Sequence, residues 1–175
     1  MHQIRCSRIG ILKIEASTEA QNRPGVLFRQ FRQEESGKQL LIEQNMFIES
    51  ILLQGTLTRA MSDAEKAVYR KPFLDKSKRY PIYVWPNELP IGGVPARNVE
   101  VVQKVGDWLK KSRTPKLLQY ARPGAIVSPE SAAWMAENYR NIETQFVGIG
   151  SHYIQEDNPE AIGRGIADWY RRTYR

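Results

Sequence analysis

The chain of 175 residues has one cysteine, two histidines and no apolar run near the roughly 18 residues that span a bilayer. The lone Cys6 excludes an internal disulfide and supplies no cysteine metal cluster. The opening Met-His-Gln-Ile-Arg-Cys6 is charged but has no apolar core segment, so no secretory leader and a cytoplasmic location are expected. No Gly-x-Ser-x-Gly elbow occurs, which removes the usual serine nucleophile of a strand–turn–helix hydrolase. Repeats and low-complexity tracts are absent as well. Lys and Arg total 26 against 19 Asp and Glu, giving a net charge of +7. Acidic residues interleave the basic ones and no nucleic-acid-binding motif is present, so nucleic acid is not expected as a partner. With 41% hydrophobic and 26% charged residues, the chain is expected to fold rather than remain disordered.

The apolar run Arg8-Ile-Gly-Ile-Leu-Lys-Ile-Glu-Ala16 reads as a buried strand with Glu15 at its end. A polar stretch over 17–25 follows. Helical spacing then begins at Leu27 and Phe31. It continues through Leu40, Leu41, Gln44, Phe47, Ile48, Ile51 and Leu52 as one helix that stops at Gly55. Ser62-Asp-Ala-Glu65 is a capping box that opens a helix ending before Pro72. The proline-rich stretch 72–95 predicts an irregular connection. Over 97–112 the spacing predicts a helix burying Val99, Val102, Val105, Trp108 and Leu109. A strand is expected over 116–121, a helix opening at Ser128-Pro129, a strand over 144–149, and a last helix opening at Asn158-Pro159. That helix should turn Ile162, Ile166 and Trp169 to the core. Strand–helix alternation at the end argues for a parallel α/β sheet, and the helical insertion for a lid.

Ligand sites of open α/β sheets lie beyond the carboxyl ends of the strands. Glu15, the turn Arg122-Pro-Gly-Ala-Ile126 and Gly150-Ser-His152 occupy such positions. An acid followed by a histidine is the chain order of the acid and base in α/β-hydrolase triads. The nucleophile is missing. Ser151 directly precedes the histidine and, on an extended strand end, points away from it. Cys6 lies in no elbow.

Five segments then carry a resemblance. They are Gln44-Asn-Met-Phe-Ile-Glu49, Tyr69-Arg-Lys-Pro-Phe73, Pro86-Asn-Glu-Leu-Pro-Ile-Gly92, Pro115-Lys-Leu-Leu118 with Pro123-Gly124, and Gly150-Ser-His-Tyr-Ile-Gln-Glu-Asp-Asn-Pro-Glu-Ala-Ile-Gly163. In order and approximate spacing they resemble the haloalkane dehalogenases, of which Renilla-type luciferase is a close relative. The resemblance runs from about Arg23 to the C-terminus and implies the C-terminal half of that family.

What the resemblance implies is an α/β-hydrolase fold of which this chain holds about three parallel strands, their flanking helices and a helical cap. The implied organisation is a strand ending at the acid (1–17), a helical cap (18–93) and a helix–strand–helix–strand–helix part of the core (94–175). The implied reaction is displacement of halide by an aspartate to give an alkyl-enzyme ester, which a His-activated water hydrolyses. By position His152 matches the base and Glu15 the acid, while Phe47, Ile51, Trp85, Pro86, Leu89, Ile126 and Tyr153 match residues lining an apolar pocket. The family's nucleophilic aspartate and its neighbouring tryptophan would precede Met1, so the chain alone is expected to be inactive. No cofactor or metal is implied. The implied partners are a small apolar halogenated substrate and water, with no membrane, and with self-association through an exposed sheet edge. A luciferase-like monooxygenase and a non-catalytic remnant binding apolar ligands or a partner remain alternatives. A turn with no role beyond solvation is the plain reading of Gln155-Glu-Asp157, and a core stripe that of Phe47, Ile48, Ile51 and Leu52.

Overall fold

The structure, a computed structural model, describes residues 23–55 and 57–175. The strand expected over 8–15 and Cys6 lie outside the described residues. The chain forms two compact units. One comprises the described residues up to Ser50 together with Asp63–Lys104. The other comprises Ile51–Ser62 and Val105–Arg175.

The first unit is helical. Helices α1 (Arg23–Phe31), α2 (Glu34–Lys38) and α4 (Tyr80–Asn87) pack together around Phe31, Leu41, Ile82 and Pro86, all buried. Gly37 allows the tight turn from α1 into α2, because a Cβ there would lie 2.1 Å from the Phe31 carbonyl oxygen. Two arginines tie the loops. The Arg32 guanidinium donates to the carbonyls of Leu89 (2.6 Å), Ile91 (2.8 Å) and Val94 (2.6 Å). Arg79 Nη1 donates to the Ile42 carbonyl at 2.7 Å and its Nε to that of Phe73 at 2.8 Å. Arg32→Leu should therefore cost about 2–3 kcal/mol, since three carbonyls lose a charged donor. Urea denaturation checks this; a loss below about 0.5 kcal/mol would show that water replaces the guanidinium freely.

Two expectations need correction here. The helix expected from Leu40 to Leu52 is split into two π-wound segments, Gln39–Glu43 and Phe47–Gly55. Asn45 sits between them at φ 52, a left-handed conformation that asparagine tolerates better than most residues and that no helix continues through. Its carbonyl accepts the N–H groups of Ile48 (3.1 Å) and Glu49 (3.0 Å), which restarts the winding. The connection over 72–95 also contains regular structure. Helix α4 forms there because Pro81 falls in the first turn, where its missing N–H costs nothing, while Pro86 inside the helix gives up one helical N–H. Helix α3 (Asp63–Arg70) follows the capping-box signal, and Arg70 closes a bidentate pair on Glu49 (Nε–Oε1 3.0 Å, Nη2–Oε2 2.7 Å).

Helix α5 (Ala96–Lys111) leads from the first unit into the second. There β1 (Lys116–Pro123) pairs in parallel with β2 (Ile142–Gly150), from Lys116 opposite Ile142 to Pro123 opposite Gly150. The register shifts between Tyr120 and Ala121, leaving Val147 as the extra residue on β2. Helix α6 (Pro129–Asn138) connects the strands. Ser128 Oγ accepts the Ser131 N–H at 3.2 Å as its N-cap, with proline at the first helical position. Helices α7 (Ile154–Asp157) and α8 (Pro159–Tyr174) complete the unit, and α6 and α8 both pack on the strands. Gly165 of α8 meets the sheet at two glutamines: a Cβ there would lie 2.0 Å from Gln145 Oε1. Ala121, Ala132 and Val147 form the buried centre, with Leu52, Leu53 and Met61 buried in the same unit.

The apolar stripes of α5 and α8 are less covered than their periodicity implies. Trp108 is 58% exposed and Ile166 49%, and Val105 is exposed too. Periodicity identifies a face that wants a partner surface. Among the described residues that surface is incomplete. No helix among them is long and apolar enough to cross a membrane.

Candidate functional site

The loops that follow β1 and β2 run side by side. Gly124 N–H donates to the Gly150 carbonyl (3.1 Å) and Ala125 N–H to the Ser151 carbonyl (2.8 Å), so the two carboxyl strand ends open together. Gly124 turns with φ +69, where a Cβ would strike the Val127 carbonyl at 2.2 Å, so only glycine fits. His152 follows β2 by two residues on this shared edge.

His152 is half-buried, and its ring meets that of Tyr153 edge to face at 4.8 Å. Burial holds the imidazole below its ordinary value of 6.5 and pushes the Tyr153 phenol above its ordinary value. The imidazole is therefore neutral at pH 7, with a lone pair able to accept a proton. The sign for stability follows from this. A histidine whose folded-state value is depressed contributes nothing above the unfolded value and costs stability as pH falls from 6.5 through the folded value. Melting temperature should accordingly drop between about pH 7 and about pH 5, and His152→Gln should flatten that part of the curve. Identical slopes in the two proteins would rule out His152 as the titrating group.

The loop carrying His152 is held from a distant part of the chain in the same unit. Asp157 Oδ1 accepts the backbone N–H groups of Thr58 (3.0 Å) and Arg59 (3.3 Å). Arg59 Nε returns a bond to the Glu156 carbonyl at 2.8 Å. The turn Gln155-Glu-Asp157 is thus more than a solvated connection. Arg59 carries no signal in the sequence, because its partners lie almost a hundred positions away; only folding brings them together.

The other residues singled out from the sequence fall in both units. In the first, Phe47 and Trp85 meet edge to face at 5.7 Å. Trp85 remains 54% exposed, Pro86 is fully buried, and Leu89 is half-buried with its carbonyl held by Arg32. In the second, Ile51 and Tyr153 are half-buried, and Ile126 is 48% exposed on the turn beside Ser151. Glu15 lies outside the described residues. Among the described residues, no group of three or more His, Cys, Asp or Glu side chains could hold a metal ion.

Parallel strands with flanking helices and a histidine just past the last strand define the C-terminal portion of an α/β-hydrolase fold. No protein-family model matches the chain. Individual relatives do. A haloalkane dehalogenase of Bradyrhizobium diazoefficiens is 41% identical over 143 residues, which is 82% of this chain and 46% of that protein. One of Mesorhizobium japonicum is 40% identical over the same shares. Among solved structures, an ancestral haloalkane dehalogenase superposes with a TM-score of 0.81 at 40% identity, covering 90% of this chain and 53% of that one. The dehalogenase of Bradyrhizobium elkani gives 0.80 at 38% identity, covering 87% and 51%. The chain is homologous to haloalkane dehalogenases over most of its own length, and it spans about half the length of the curated relatives it matches.

Proposed function

We propose that these residues are the acid–base half and the cap of a haloalkane dehalogenase-like hydrolase. His152 is the general base, Glu15 its acid partner, and Phe47, Ile51, Trp85, Pro86, Leu89, Ile126 and Tyr153 are the substrate-binding residues. The substrate class is a small apolar halogenated alkane, with water as second reactant. In this reading an aspartate supplied by residues other than these displaces halide from carbon. His152 then takes a proton from water as the water oxygen attacks the ester carbonyl, and the alcohol leaves. The chain divides in this proposal into the strand of the acid (1–17), the cap (18–93) and the core (94–175), and it acts in the cytoplasm. The single observation that carries the reading is His152, a half-buried imidazole just past the carboxyl end of β2 in a dehalogenase homologue. A low-dielectric, water-poor site suits the displacement, and burial that keeps an imidazole uncharged leaves it able to accept a proton.

The test is complementation. The chain is co-expressed with a fragment of the Bradyrhizobium diazoefficiens relative that covers the half this chain does not match, and halide release from a brominated alkane is followed. Halide release dependent on both parts is expected. Light emission with coelenterazine and no halide would overturn the proposal in favour of the luciferase-like reaction.

A further inference from the structure

Asn158 stands at the start of α8, where an asparagine ordinarily caps its own helix. Here it does not: its side chain makes no capping bond to α8. Instead Nδ2 donates to the Ile149 carbonyl at 2.8 Å, reaching back to the carboxyl end of β2. Two glycines make room for it. Gly148 has φ +130, which other residues rarely adopt, and a Cβ there would lie 2.3 Å from Asn158 Oδ1. A Cβ at Gly150 would lie 3.3 Å from Asn158 Nδ2. The carboxamide therefore lies in a notch along the backbone of Gly148-Ile-Gly150 that side chains at those positions would fill. Asn158 also accepts the Ile162 N–H at 3.1 Å and donates its own N–H to the Ile154 carbonyl at 2.8 Å. It closes α7, opens α8 and bonds the strand, all from one residue.

We infer that Asn158 is a positioning residue for His152: seated in the Gly148–Gly150 notch, it closes the neck of the loop that carries the imidazole. The base role of His152 rests on the function proposed above, but the clamp is a property of the loop and is read without turnover. An isolated neck would leave the histidine free to swing into water. With the neck bonded, and with Asp157 anchored at Thr58 and Arg59, the loop is fixed on both flanks.

Carbethoxylation of His152 by diethyl pyrocarbonate, followed by peptide mapping on the full chain with N-acetylhistidine as reference, measures this. N158A should raise the His152 rate about fivefold, the factor that one net side-chain hydrogen bond supplies. The inflection of its pH–rate profile should also move up toward that of the reference. G148A, which displaces the carboxamide, and N158D, which keeps its shape but loses the donor, should do the same. G163A, where a Cβ meets nothing within 4 Å, should leave His152 unchanged. Unchanged rate and inflection in N158A, whatever its melting temperature, or full protection in N158D, would overturn the inference. Should the variants fail to fold, the wild-type chain in urea decides. His152 reactivity holding at its native level up to the global transition supports the clamp, and a rise well ahead of that transition overturns it.

Discussion

In the complemented enzyme, His152→Ala is expected to leave one burst of halide per site and then to slow turnover by about 10²–10⁴-fold. Displacement of halide by a carboxylate needs no base, so the burst survives. Hydrolysis of the resulting ester needs a water stripped of a proton, and a neutral imidazole past the end of β2 is the group suited to accept it. The alkylated fragment should accumulate and be visible as a mass increase of one alkyl group. Loss of the burst together with turnover would mean that His152 serves binding or folding rather than proton transfer. The chain without its complement should release no halide above the buffer rate, because a base cannot stand in for a missing nucleophile on a covalent route. Halide release by the chain alone, abolished in His152→Ala, would reveal another nucleophile among these residues.

The second large effect is physical. The isolated chain is expected to self-associate, through an exposed sheet edge or through the apolar faces of α5 and α8. Trp108, Val105, Phe146, Ile149, Ile166, Tyr170 and Tyr174 all lie exposed in one unit. At about 25 cal/mol per Å², covering such surfaces amounts to several kcal/mol, large against a net stability of about 5–15 kcal/mol. The charge of +7 opposes association, so added salt should promote it by screening that repulsion. Light scattering and binding of a dye specific for exposed apolar surface report the outcome. A monodisperse monomer with a cooperative thermal transition and no dye binding, at low and at high salt, would refute it. Complementation by the dehalogenase fragment should suppress both signals if the fragment covers the same faces.

Where local rules decide structure, the residues announce it. The capping box at Ser62, Ser128-Pro129 and Asn158-Pro159 mark helix starts that the structure adopts within a residue, and the two apolar runs over 116–121 and 144–149 pair as parallel strands. The broken winding around Asn45 was not legible, because a 3.6-residue spacing stays apolar through a residue that leaves the helix. Nor was α4, where two prolines read as breakers although Pro81 falls in the first turn and the short helix runs on through Pro86. The position of His152, two residues past the end of a strand, was legible from the glycine-bearing turn before it. The bonds that hold its loop were not, since Arg59 and Asp157 meet only through tertiary folding and Asn158 forgoes the capping role its position suggests. Buried stripes were over-read on α5 and α8 because periodicity records which face is apolar and says nothing of what lies against it.

The two glutamines beneath Gly165 have a consequence for how the strands find each other. Gln119 stands directly opposite Gln145, donates to it at 3.0 Å and shares its amide with the Ile162 carbonyl at 3.1 Å. A slip of one position would set Gln119 against Thr144 or Phe146 and turn the amide to the opposite side of the ribbon. The polar rung then acts as a key: apolar contacts draw the strands together in several alignments, and the native one joins the two glutamines to each other and to the helix that lies over them. Gly165 is the keyhole, since a side chain there would have to push an amide aside and so break the rung.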